Sequence, residues 1–252
     1  MQEHVSAKSF MSVRTIVFIC GLIIAIIAFV TPMDIVGMYF MFSIHMVQHL
    51  LLSLVVPPMI LFGLAPGSIQ RFLDRHAVLR RCLAVLTIPV VASLLFNGNI
   101  WLWHAPVLMD AMMSNPFLHD ITNLLYLLTG LLFWCPLFEI TAGRKAPLPL
   151  AGKLAYIFFS DMPMMLLGAG MTFSAPLYRF SMENPTMRMT VTATDQQLGG
   201  LFMWVVGGVF LLVIVTSVLF LRWMLQQEKE QKAKDRELLE DPYDEQLASI
   251  QE

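Results

Sequence analysis

Charge is what this chain has least of. Charged residues make up 13% of its 252 positions and hydrophobic residues 57%. That is roughly half the charged share of a soluble domain, and the mean hydropathy is +0.69. A water-soluble globular fold is excluded on those grounds, and a net charge of −2 excludes a nucleic-acid partner. Cysteine is scarce as well. Cys20, Cys82 and Cys135 stand alone, without a CxxC, so neither a disulfide framework nor a thiolate zinc site is indicated. Each reads as a small buried hydrophobe in or beside an apolar segment. No internal repeat is visible.

What is present is a series of long apolar runs. A span needs about 20 mostly apolar residues, and six runs qualify: 13–30, 38–61, 83–103, 118–138, 150–171 and 198–225. The expected fold is an all-α polytopic membrane bundle of about six transmembrane helices. It divides into an N-terminal segment 1–12, a membrane domain 13–225 and a charged tail 226–252. The second run carries Pro57 and Pro58, where a helix bends, and it extends toward Leu64. The first run resembles a signal peptide in composition, but it is long and no A-x-A site closes it, so it is read as an uncleaved helix. The sixteen Lys and Arg set the orientation: all but Arg179 and Arg188 flank the spans on one side. By the positive-inside rule both termini are cytoplasmic. In the tail, Glu228–Lys232 and Glu230–Lys234 are favourable i, i+4 pairs of a solvated helix.

The second run, YFMFSIHMVQHLLLSLVV (39–56), holds two histidines. Ionisable side chains at membrane depth are costly and mark functional positions by default. His45 and His49 lie on one helix face, with Cβ atoms roughly 5–6 Å apart, close enough to share one ion or contact one cofactor. With the helix entering near Met38, His45 falls about 10 Å below the outer surface and His49 about 16 Å. His104, in WLWH, ends the third run on the outer side, and His119 begins the fourth there. His4 and His76 fall on the cytoplasmic side, where solvation accounts for them.

Asp161 is the other charge in mid-membrane, at a depth near that of His49. A His49–Asp161 contact would lower the cost of both groups and orient the imidazole. Met33, Met38, Met41, Met46, Met109, Met112, Met113, Met171, Met182, Met187 and Met189 all belong to the outer half or outer loops. Thioether with imidazole suits Cu(I), and imidazole alone also suits zinc or iron. For each Met taken singly, filling an irregular apolar gap is the more frequent role. Thr194 is a candidate N-cap for the sixth helix, and Asp195 suits its positive end or the mouth of a site. Gly199–Gly200 and Gly207–Gly208 permit close helix packing. Trp101, Trp103 and Trp204 fit the outer interface as anchors. Asn115–Pro116 reads as a turn, and Asn97 and Asn99 as interhelical hydrogen-bonding groups.

Four readings follow from these residues. A copper-handling protein would use His45, His49, His104 and His119 as metal ligands, supported by Asp161, Asp195 and Met46. A haem-binding membrane oxidoreductase would need two axial histidines on different helices. His45 and His49 share a face and make a poor pair, leaving His49 with His104. A copper or other cation transporter would line its path with Asp161, Met162, Met164 and Met165. In the fourth, the histidines only bridge helices, which four of them gathered on one side disfavours. An intramembrane protease is disfavoured because HMVQH lacks the glutamate that serves as general base.

HMVQHLLLSLVVPP, WLWHAP, NPFLHD and DQQLGGLFMWVVGG occur in that order. Together they resemble the CtaG-type family of cytochrome c oxidase assembly factors, the multi-span bacterial kind, over about Tyr39 to Trp223. The resemblance implies a non-catalytic role in maturing a haem–copper oxidase at its copper step, in a bacterial plasma membrane. It implies copper, with Cu(I) favoured and haem not expected. Its partners would be cytochrome c oxidase subunits and a copper chaperone. His45 and His49 match the family's paired histidines, His104 that of the WH motif, His119 that after NP, and Asp195 the Asp of DQQ. Many relatives have a second His four residues after the NP-linked one. Here that position is Asn123, a poor Cu(I) ligand; if that second His is a ligand in the relatives, this chain has lost one or uses Asp161 or a Met instead.

Overall fold

The computed structural model describes residues 2–30, 32–64, 67–140, 148–178 and 192–250. Arg144, Lys145, Arg179, Arg188, Met182, Met187 and Met189 lie outside them. The side chains of 2–12, 68, 70 and 237–250, His4 included, are also outside. The described residues form helices joined by short turns, with no strand among them. Five helices are long and apolar enough to cross a membrane, and a bent pair makes a sixth span.

The first span lies in α1 (Gln2–Val30), which packs along α4 (Val56–Gly63). The second differs from expectation at its outer end. Residues 38–41 do not begin it: Pro32–Tyr39 is a separate helix, α2, and the span starts after extended Met41 as α3 (Phe42–Leu50). A single π-helical stretch, Leu51–Val55, joins α3 to α4. Pro57 and Pro58 fall in the first turn of α4, where a missing N–H costs least. The span continues to Gly63, as its apolar pattern predicted.

The third span is broken. After α5 (Ser68–Asp74), α6 (Ala77–Leu86) and α7 (Pro89–Trp103) meet at 77°, so 83–103 is not one helix. Pro89 causes this, because the residue before a proline is driven out of the helical region; Ile88 stands at φ −61°, ψ 128°. A short α8 (Pro106–Ser114) leads to α9 (Pro116–Trp134), whose N-cap Asn115 accepts from the backbone N–H of Phe117 and Leu118. α10 (Leu150–Phe173) absorbs Pro163 without ending. The last span opens with α11 (Ala193–Leu201), passes through π-helical Phe202–Gly207 and Val209–Val215, and continues as α12 (Thr216–Ile250). Its N-cap is Thr192, not Thr194: the Thr192 hydroxyl accepts from Asp195 N at 3.1 Å. Lys232 meets Glu228 at 2.6 Å, as the tail pattern predicted.

The core forms where α3, α7, α9, α10 and α11 converge. Asn97 Nδ2 donates to the Ser160 carbonyl at 2.9 Å and Asn99 Nδ2 to Thr129 Oγ1 at 3.4 Å, so both asparagines tie helices together. Trp103 is buried rather than an interfacial anchor, its indole N–H donating to Asn99. Of the cysteines only Cys135 is buried; Cys20 and Cys82 face outward among apolar surfaces. α10 and α11 cross at Gly168 and Gly200, where a Cβ on Gly200 would stand 2.6 Å from the Gly168 carbonyl oxygen.

Candidate functional site: a buried histidine–methionine cluster

His45, His49, His104 and His119 converge from three spans into one buried cluster. Their exposures are 0%, 4%, 4% and 1%. The i, i+4 pair on α3 places the His45 and His49 rings 4.0 Å apart between centroids. His104 is the C-cap of α7 and lies 6.3 Å from His49, while His119, in the first turn of α9, lies 5.1 Å from His45. Because α3 begins at Phe42, the pair lies nearer the helix start than a start at Met38 implies. His45 is about 5 Å and His49 about 10 Å along the helix from its N-terminal end.

Two devices hold α3 in place. Asp195 does not serve its own helix. Its carboxylate accepts from Phe42 N at 2.6 Å and Ser43 N at 3.1 Å, capping α3 from across the bundle. This satisfies two of the four N–H groups that a helix start leaves free and places negative charge at its positive end. The second device is α2, which lies directly on His45. A Cβ on Gly37 would come within 3.1 Å of the His45 backbone.

α2 also supplies Asp34, a polar contact of the cluster that sequence reasoning missed. Asp34 Oδ1 accepts from Gln48 Nε2 at 2.7 Å and lies 3.5 Å from His119 Nδ1. A carboxylate accepts only and so favours a proton on His119 Nδ1, while the Asn123 amide Nδ2, 3.4 Å from the same nitrogen, favours the other tautomer. On its other side His119 Nε2 lies 3.3 Å from His45 Nδ1, one nitrogen donating and the other accepting. Hydrogen-bonded carboxylates orient metal-binding imidazoles in this way. Its only sequence signal was an acidic residue inside an otherwise apolar PMDIVGMY.

The deeper half of the cluster is softer. His104 Nδ1 lies 2.7 Å from the Ile100 carbonyl oxygen and Nε2 3.3 Å from Met46 Sδ. His49 stacks on Tyr126 at 3.9 Å. A cavity of about 10 Å³ lies between His49, His104, Met46, Tyr126, Met164 and Met203. It has room for a single ion or water, not for a macrocycle. His45 Nε2 and both ring nitrogens of His49 are buried without a hydrogen-bond partner among the described residues. Buried polar atoms are rarely left so, and lone pairs of this kind fit a metal.

Two expectations need correction. The His49–Asp161 hydrogen bond is absent: Asp161 is fully buried on α10, but neither its oxygens nor the His49 nitrogens find a partner. Similar depth did not place them on facing surfaces. Also, among the described residues no three His, Cys, Asp or Glu side chains converge tightly enough to hold an ion by themselves. The four histidines form a cluster, and a complete metal shell within it needs another ligand type.

Beside the cluster, Tyr178 packs on Phe42 and donates to the His104 carbonyl at 3.0 Å. Burial, and then the Asp110 carboxylate, push the phenol's pKa up, so it remains a donor.

The chain is 24% identical to the uncharacterised protein Mb0105 of Mycobacterium bovis over 228 residues, covering 82% of this chain and 33% of that protein. The uncharacterised protein MT0111 of Mycobacterium tuberculosis gives the same figures, and ML1998 of Mycobacterium leprae is 24% identical over 216 residues, covering 78% and 32%. The chain thus spans about a third of the length of these relatives. No solved structure matches it. The family model described as cytochrome c oxidase caa3 assembly factor matches residues 2–226, the whole membrane domain with every histidine of the cluster, and the chain belongs to that family.

Proposed function

We propose that this protein binds copper at the outer-facing histidine cluster and assists maturation of the copper centre of a haem–copper cytochrome c oxidase. The observation that carries this reading is the set of buried imidazole nitrogens without partners at His45 and His49, beside His104, His119 and Met46. Desolvated imidazole and thioether groups on separate helices suit a soft ion. The protein acts without catalytic turnover, in a bacterial plasma membrane with both termini in the cytoplasm. It receives copper from a chaperone on the outer side and passes it to an oxidase subunit.

The test is Cu(I) content and affinity of detergent-purified protein, wild type beside His45→Ala/His49→Ala. Stoichiometric copper lost in the double variant supports the reading. No copper in the wild type after anaerobic loading sinks it, and the histidines then serve as interhelical or partner contacts. One observation favours a second reading, a cation transporter: Asp161 is fully buried with both oxygens unpaired, one turn from Met164 at the cavity. Copper uptake by vesicles, abolished in Asp161→Asn, would select it.

A further inference from the structure

The four histidines are not equivalent, and the tautomers explain how. The Ile100 carbonyl can only accept, so at 2.7 Å it fixes the His104 proton on Nδ1. His104 Nε2 is therefore a bare lone pair, and the atom 3.3 Å from it is the thioether of Met46, which has no proton either. Two lone-pair atoms face each other in a buried pocket with nothing to donate between them. His49, on the same cavity wall, has two ring nitrogens with no partner among the described residues. Met164 and Met203 complete the wall. The helix carrying Gly199 leaves Met46 its place: a Cβ there would stand 3.0 Å from Met46 Cγ.

His119 differs. Both its ring nitrogens already face polar partners, Asp34 at 3.5 Å and the Asn123 amide at 3.4 Å on one side and His45 at 3.3 Å on the other. With both nitrogens engaged, His119 has no position left for an ion.

Building on the copper reading, we infer that the ion is Cu(I) bound by Met46 Sδ, His104 Nε2 and His49 in this cavity, while His119 is a positioning residue outside the metal shell. The mixed set accounts for the absence of three converging His, Cys, Asp or Glu side chains. It also gives a preference: a thioether is a good ligand for Cu(I) and a poor one for Zn(II), which takes thiolate, imidazole and carboxylate.

The test uses the full-length protein in detergent, loaded anaerobically with Cu(I) and read by copper X-ray absorption and by competition affinity. Wild type is expected to show a sulfur neighbour. Met46→Leu, nearly isosteric, should lose sulfur scattering and bind Cu(I) more weakly by roughly tenfold or more, with Zn(II) affinity unchanged. His119→Gln should leave the copper spectrum as in wild type and weaken affinity by about tenfold. Bound copper in wild type with a nitrogen-only shell overturns the inference and leaves the copper reading standing; this needs no variant to fold. A Met46→Leu protein matching wild type, or an altered spectrum in His119→Gln, also overturns it. No copper bound in wild type is the distinct outcome that removes the copper reading itself.

Discussion

His119 Nε2 stands 3.3 Å from His45 Nδ1, and Asp34 Oδ1 lies 3.5 Å beyond on the far side of the ring. The three groups form a relay from α2, over the N-terminal end of α3, to the first turn of α9. Asp34 keeps 20% of its side-chain surface exposed, while His119 keeps 1%. The relay therefore begins at the edge of the protein and ends among dry imidazoles.

Asp34→Asn tests the relay without emptying space. The amide retains a bond to Gln48 but can present an N–H to His119, which would allow the opposite tautomer. The expected result is a folded protein with metal affinity reduced by about tenfold. Competition titration with a Cu(I) chelator measures it. An Asp34→Asn protein with wild-type affinity would show that the carboxylate does not set the histidine protons.

Asp195 makes a separate prediction. Its oxygens lie 2.6 and 3.1 Å from two N–H groups at the start of α3, in a partly buried place. Asp195→Ala leaves those donors unpaired, which costs about 1–3 kcal/mol. Asp195→Asn, which keeps an acceptor, should recover part of that. Thermal unfolding in detergent gives the order wild type, Asn, Ala. Equal midpoints for all three would show that the cap contributes nothing to holding the histidine helix.

Much of this was legible in the chain. Five spans follow from apolar length alone, and a tertiary break does not disguise them. The sixth was placed but its shape was not. Hydropathy runs through Pro89 without a change, and only the steric effect of proline on Ile88 reveals the 77° turn. The His45–His49 pairing followed from helical periodicity, and the grouping of His104 and His119 with them from their places at the ends of their spans. Partners across the bundle were not legible. Thr194 and Asp195 both fit the start of α11, yet Thr192 caps it and Asp195 caps α3. Depth suggested Asp161 for His49, but depth carries no information about which way a helix is turned. Asp34 was hidden because α2 reads as the edge of a span rather than as a helix folded over His45.

Tyr178 predicts an alkaline effect. A free phenol ionises near pH ~10, and that of Tyr178 is held above this, first by burial and then by Asp110. Above the free value the unfolded chain has lost a proton that the folded chain retains, so unfolding becomes easier as pH rises. Below it the two states hold the same proton and no effect appears. Tyr178→Phe loses the hydrogen bond to the His104 carbonyl, lowering stability at neutral pH by about 1 kcal/mol. It also flattens part of the decline between pH ~9 and ~11. Unfolding midpoints across that range compare the two proteins, and parallel curves would mean that Tyr178 does not contribute to the decline.

Gly200→Ala addresses the crossing of α10 and α11. The added methyl would stand 2.5 Å from Thr172 Oγ1 and 2.6 Å from the Gly168 carbonyl oxygen, one of them backbone and unable to yield alone. The helices must separate, and overpacking of this kind costs about 1–3 kcal/mol. The shift reaches the site, since Gly199 packs against Met46 on the same helix. Gly200→Ala should therefore lower the unfolding midpoint and weaken metal binding together. Gly170→Ala, where a Cβ meets nothing within 4 Å, should change neither. If Gly200→Ala lowers stability but leaves metal affinity intact, the crossing supports the bundle without setting the position of Met46.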